Sequence, residues 1–196
     1  MKKLLALTIA ICSFGAFAQV NYKLNPAETK AEWVGYKIAS EHRGFIGVKE
    51  GNLTVKDGLI QSGTVTIDMN NLTVTDISGG MAEKLVGHLK HDDFFAVDKH
   101  PEAKLAIKSS KKTDKGLEVT GDLTIRGKTH PITFLATDIV ETKDKFTAKS
   151  VIKVDRTLYD VQYNSGKGLA DLGKSLGDKL IKDIFDINVT LTATKQ

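Results

Sequence analysis

A chain of 196 residues with 41% hydrophobic and 27% charged side chains has the proportions of one ordinary folded domain, which excludes a fibrous, low-complexity or disordered protein. Its formal net charge of +4 is too small for strong electrostatic steering toward nucleic acid. Its single cysteine, Cys12, excludes an intrachain disulfide framework.

Lys2 and Lys3 precede an uncharged apolar run from Leu4 to Phe14, and Ala16, Phe17 and Ala18 supply the small residues that a signal peptidase reads. The pattern predicts a signal peptide over residues 1–18 and a mature domain over 19–196. Removing the signal takes away two lysines and no acid, which lowers the formal charge to +2, and it takes Cys12 as well. Ile11 is the wrong size for lipoprotein cleavage before that cysteine, and the apolar run is shorter than the ~20 residues of a bilayer-spanning helix. Export by this route predicts a periplasmic location, or secretion, and sets aside nucleic acid and cytosolic cofactors as partners.

From Thr29 onward the dominant period is two, which places alternate side chains on opposite faces of a strand. Val65, Ile67 and Met69 alternate with Thr64, Thr66 and Asp68. The rhythm breaks over Met81 to His91, where Leu85 and Leu89 stand four apart and predict a short helix. Period two resumes with Leu117, Val119, Leu123 and Ile125, then Ile132 and Phe134, then Phe146, Ala148, Ile152 and Val154. A second helical spacing, Leu172, Leu176 and Leu180, predicts a helix over Asp171 to Lys182 before the last strand with Phe185, Ile187, Val189 and Leu191. Asp57-Gly58, Lys115-Gly116, Gly127-Lys128 and Lys143 to Lys145 are hairpin turn signals. The whole reads as an all-β domain with short helices, a single up-and-down antiparallel β-barrel of about eight strands, wide enough inside for side chains or one small ligand.

The densest polar cluster, His88, His91, Asp92 and Asp93 with His100 nearby, supplies two ligands of a His-x-x-His pair, where zinc needs three or four fixed groups. Asp92 or Asp93 capping the turn that leads Phe94 and Phe95 into the core is the simpler reading. His130 with Asp155, Asp160 or Asp186 allows acid and base pairs on paper only. There is no Gly-x-Ser-x-Gly elbow, phosphate-cradling glycine loop or His-Glu-x-x-His, so the expectation is a protein that is not an enzyme, with no cofactor and no metal site. Arg156, at the end of an alternating strand and followed by Tyr159, reads either as a guanidinium at a barrel mouth holding a polar head group or as an ordinary residue in a surface pair with Asp or a strand-end hydrogen bond. Gly35, Gly44 and Gly47 permit bends or bulges at barrel corners.

Several of these pieces together resemble the YceI-like periplasmic proteins, a polyisoprenoid-binding or lipid-binding family. They are Trp33-Val34-Gly35 with His42-Arg43-Gly44-Phe45, then Gly63 to Met69, Leu85-Val86-Gly87-His88-Leu89-Lys90, Asp92-Asp93-Phe94-Phe95 and His100-Pro101. Gly121 to Gly127 with Thr129-His130, Asp155-Arg156-Thr157 with Tyr159, and Gly177-Asp178 follow in order, from about Tyr22 to Leu191. The family usually has serine where His91 stands and commonly proline where Leu135 stands. The resemblance implies a lipocalin-like barrel with a helical flap and a hydrophobic tunnel for an isoprenoid or other long-chain lipid. Phe45, Leu85, Leu89, Phe94, Leu105, Phe134, Ile152, Arg156 and Tyr159 are the candidate ligand-binding residues. A carrier, storage or sequestering protein, monomeric or homodimeric and exchanging its lipid with membranes, is the functional expectation. A structural or partner-binding barrel, or a metal enzyme built on His88 and His91, are the alternatives.

Overall fold

The structure is a computed structural model and describes residues 19–166 and 179–196. Its strands are β1 (Val20–Leu24), β2 (Lys30–Tyr36), β3 (Glu41–Lys56), β4 (Leu59–Leu72), β5 (Glu102–Thr113), β6 (Gly116–Ile125), β7 (Lys128–Glu141), β8 (Lys145–Asp155) and β9 (Ile184–Lys195). One helix, α1 (Gly80–Lys90), joins β4 to β5, and a 3-10 turn, Arg156–Tyr159, follows β8.

Every ladder is antiparallel, and from β2 to β9 each strand pairs with its neighbour in sequence. β1 and β2 lie end to end, each bridging β3 and β9, β1 at one level and β2 at the other. They act as one stave, so nine strands make a closed barrel of eight, and closure removes the exposed edges of an open sheet. At the joint between them the Thr29 hydroxyl donates to the Thr192 carbonyl at 3.1 Å and accepts the Thr192 N–H at 3.2 Å. A side chain thus satisfies the ladder where the backbone turns away.

Two of the four turn signals produce the backbone that two-residue hairpins favour. Asp57 and Gly58 have φ of 54° and 71°, and Arg126 and Gly127 have 49° and 70°, positive at both central positions. The second turn lies one residue earlier than the Gly127-Lys128 signal, with Lys128 already in β7. In β3 the register shifts at Ile46/Gly47, next to the expected glycine. Gly44 is needed for a different reason, because a Cβ there would lie 1.8 Å from the Thr73 carbonyl oxygen and 2.9 Å from Trp33 Nε1. Trp33 Nε1 donates to that carbonyl at 2.9 Å, so β3 can pass this bond only as bare backbone.

The two ends of the barrel are closed differently. At the hairpin end, where β3/β4, β5/β6 and β7/β8 turn, Tyr22, Leu53, Val55, Leu117, Val119 and Phe146 form a fully packed cluster. Tyr22 and Phe146 pack with ring centroids 5.6 Å apart, and the Tyr22 hydroxyl donates to Glu141 Oε1 at 2.7 Å. Burial, with that hydrogen bond, pushes the phenol up to about 12. At the other end α1 lies across the opening and turns Leu89 inward against Trp33, Leu72, Phe94 and Val161.

The helix predicted over Met81 to His91 is present with its start one residue earlier. Most of the second, Asp171 to Lys182, falls outside the described residues. Of its described end, Lys179 is in 3-10 conformation, whereas Ile181 bridges Lys37 and Lys182 N–H donates to the Tyr36 carbonyl at 2.8 Å.

Candidate functional site

Between the two ends the inward faces of the staves enclose a cavity of about 210 Å³. Its wall comes from all nine strands, β1 through Leu24 alone, with Leu89, Phe94 and Phe95 from the α1 side. A dry cavity of ~150 Å³ lined by Leu, Ile and Phe is enough to hold benzene, so this space is large enough for an apolar guest. Phe146 and Val154, both at the wall, are eight Cα steps apart on β8. At ~3.4 Å per step and a tilt of ~40°, that is ~20 Å along the barrel axis, an elongated shape.

Leu89, Phe94, Leu105, Phe134, Ile152 and Arg156 of the predicted set reach this wall. Three do not. Phe45 is 44% exposed on the outer face, because period two in β3 turns Ile46 inward and therefore Phe45 outward. Leu85 packs half-buried against the core beneath α1, one turn short of the cavity that Leu89 reaches. Tyr159, 2% exposed, is held in the core with its ring edge-on to His130 at 5.3 Å. Trp33, Ile46, Met69 and Phe185, which line the cavity, were missed as site residues. Strand parity was the available signal for Ile46, Met69 and Phe185, each inward by the same alternation that excludes Phe45.

Of the readings of Arg156, the geometry matches the hydrogen-bonding one at the strand end rather than a guanidinium holding a head group at an open mouth. It is 2% exposed, and Nε donates to Lys182 O at 3.1 Å, Nη1 to Val161 O at 2.7 Å and Nη2 to Ile181 O at 2.9 Å. Asp183 lies 3.8 Å from Nη2, and Phe94 presents its ring 5.9 Å from the guanidinium carbon. Burial lowers the guanidinium pKa, against the attraction of Asp183 and Asp155. The side chain therefore ties two chain segments across the barrel end. Arg126 does the same on the rim, donating to Asp160 O at 2.6 Å and Asp92 O at 3.1 Å.

The other polar groups at the wall are similarly engaged. Ser150 Oγ donates to Leu135 O at 2.8 Å, Lys149 pairs with Asp138 at 3.0 Å, and the Lys182 ammonium lies 5.5 Å from the Tyr36 ring centroid. The cavity is thus a lining of hydrocarbon with its polar atoms turned to protein partners, a surface that favours an apolar guest.

The sequence profile of the YceI-like domain matches residues 22–193. The chain belongs to the YceI-like family. It is 33% identical over 147 residues to a UPF0312 protein of Pseudomonas putida, covering 71% of this chain and 73% of that one. Identity to the YceI protein of Escherichia coli is 32% over 159 residues, covering 76% and 78%. The crystal structure of Burkholderia cenocepacia BcnA shares the fold with a TM-score of 0.65 at 20% identity, over 86% of this chain and 98% of that one. A polyisoprenoid binding domain from Saccharophagus degradans, implicated in plant cell wall breakdown, does so with 0.61 at 12%, over 90% and 99%.

The candidate chemistry elsewhere in this YceI-like barrel is dispersed. Asp93 sits between two imidazoles, 2.8 Å from His91 Nδ1 and 3.6 Å from His88 Nε2. The hydrogen bond from His91, with the positive potential of both rings, holds its carboxyl below the usual range. Among the described residues no group of three or more His, Cys, Asp or Glu is placed to hold a metal ion. Asp155 accepts from the Thr157 N–H at the start of the 3-10 turn, Asp160 pairs with Lys128 at 2.8 Å, and Asp186 pairs with Lys153 at 2.9 Å. His130 packs on Tyr159 instead of joining any of these acids.

Proposed function

We propose that this protein holds one long-chain, weakly polar lipid of the isoprenoid or similar amphiphilic class inside its barrel, and that it carries, stores or sequesters that lipid without transforming it. The observation that carries the reading is the elongated hydrocarbon-lined cavity between two closed barrel ends. The Saccharophagus degradans structure is that of a polyisoprenoid binding domain, a ligand class that agrees with such a space.

Burying a methylene is worth ~0.8 kcal/mol, so the ~15 carbons that a ~20 Å cavity takes gain roughly 12 kcal/mol against water before entropic costs. Against a bilayer, where the chain is already dry, the hydrophobic balance is close to neutral. Loading and unloading at a membrane are then thermodynamically accessible, which suits a carrier better than an irreversible trap. Lys2, Lys3, the apolar run to Phe14 and Ala16 to Ala18 support export to the periplasm, and N-terminal sequencing of the mature protein should begin at Gln19.

Mass spectrometry of an organic extract of the purified protein tests the binding. One long-chain species per barrel is expected, either retained from the cell or taken up when isoprenoid alcohols or fatty amides are offered. A protein that yields no lipid and takes up none contradicts the proposal.

A further inference from the structure

The barrel wall is not uniformly stitched. Between β7 and β8 the ladder pairs Ala136 with Ser150, Thr137 with Lys149, Val140 with Thr147 and Glu141 with Phe146, all toward the hairpin end. Beyond Ala136, residues 128–135 of β7 pair only with β6, and residues 151–155 of β8 pair only with β9.

Sequence parity explains why this edge stays open. The two-residue Arg126-Gly127 turn makes Ile125 and Lys128 a hydrogen-bonded pair, so every second residue of β7 from Thr129 points its main-chain groups away from β6 and toward β8. Those residues are Thr129, Pro131, Thr133 and Leu135. Pro131 has no N–H to give, which is tolerated only where a strand lacks a partner on that side. Thr129, Pro131 and Thr133 are all exposed, so water can serve the remaining groups.

The result is a slot with defined limits. At one limit Ser150 Oγ donates to Leu135 O; at the other Tyr159 packs edge-on against His130. Between them the inward side chains are Ile132 and Phe134 from β7 and Ile152 and Val154 from β8, all of which belong to the cavity wall. Outside it Val151, Leu158 and Ile184 are 55%, 45% and 41% exposed on β8, the 3-10 turn and the start of β9. Solvent-facing apolar residues therefore flank a seam whose inner side chains are the cavity itself. The two ends offer no comparable route among the described residues, one being covered by the buried cluster around Tyr22 and Phe146 and the other tied by Arg126 and Arg156.

We propose that the β7/β8 slot is the lateral portal through which the lipid chain passes between a membrane surface and the cavity, the apolar residues on its outer rim resting against the lipid surface during transfer. The portal rests on the lipid-binding reading above and adds a route to it. Parting this seam breaks no backbone ladder, whereas parting any fully paired stretch of wall would.

The test closes the slot from outside. Leu135 and Val151 are the next pair if the register from Ala136 and Ser150 is continued, and neither lines the cavity. Leu135→Cys with Val151→Cys, in a Cys12→Ser background, is to be compared reduced and oxidised, or joined by a short bismaleimide if the thiols do not close directly. The probe is a fluorescent long-chain isoprenoid alcohol in phosphatidylglycerol and phosphatidylcholine vesicles, followed by stopped flow. Cross-linking should slow both uptake and release by about tenfold or more, leave the amount bound at equilibrium unchanged, and, for the disulfide, be reversed by dithiothreitol. Equal transfer rates in the linked and open forms, with the probe still bound, would overturn the portal and leave lipid binding standing. A reduced protein that never takes up the probe would bring down both.

Discussion

The two ends of this barrel solve the same problem by opposite means. The hairpin end is filled by side chains that alternate along adjacent strands, Tyr22, Leu53, Leu117, Val119 and Phe146 among them. The helix end is closed by irregular backbone held together by two arginines, Arg126 and Arg156, that capture five carbonyls between them. Hydrophobic packing is non-directional and makes a plug, whereas hydrogen bonds to carbonyls fix a few points and leave the space beneath them unfilled. The cavity lies between a plug and a cover.

The sharpest way to break this contrast is to truncate one representative of each end. Phe146→Ala removes a ring that is 1% exposed and should lower unfolding stability by about 3 to 5 kcal/mol, read from chemical denaturation. Arg156→Ala leaves the carbonyls of Val161, Ile181 and Lys182 unpaired and should cost about 3 kcal/mol. It should also concentrate limited proteolysis between residues 161 and 183, which Phe146→Ala should not. Equal proteolysis patterns in the two variants would mean that the ends are not distinct.

Smaller effects sharpen the same comparison. Tyr22→Phe keeps the plug's shape and loses only the bond to Glu141, a change of about 1 kcal/mol near neutral pH. Because the folded phenol is held near 12 against an ordinary 10.0, the folded protein keeps a proton that the unfolded chain releases. That stabilisation is intact below pH 10 and is lost as pH rises through about 12. The denaturation midpoint of the native chain should therefore fall more steeply above pH 10 than that of Tyr22→Phe. Phe134→Trp, at the cavity wall, should change stability least, within about 1 kcal/mol, because the added ring atoms enter unfilled space; the same change should weaken lipid binding in a fluorescence titration.

What the sequence revealed follows the range of the interactions involved. Val119, Phe134 and Ile187 announce their strands because period two is local, and α1 shows itself through Leu85 and Leu89. Strand count and turn spacing already pointed to an antiparallel barrel, and the family motifs added its expected guest. Within a strand, parity decides which aromatic faces inward, and choosing Phe45 for its size rather than its register placed it on the wrong face. Arg156 could be read as a hydrogen-bonding residue at a strand end but not by its partners, since two of them, Ile181 and Lys182, lie 25 and 26 residues away and offer backbone carbonyls that have no sequence signature. Pro131 was visible throughout, but its meaning as an unpartnered strand position needed the Arg126-Gly127 turn to be placed first.

The central claim is that an unfilled hydrocarbon interior takes up a chain, and a thermal-shift series with neutral long-chain alcohols of increasing length tests it most directly. Each added methylene should bring ~0.8 kcal/mol of binding, so at fixed ligand concentration Tm should climb with length and level off once the chain outgrows the ~20 Å cavity. A melting temperature indifferent to chain length, from the shortest alcohol to the longest, would contradict the account.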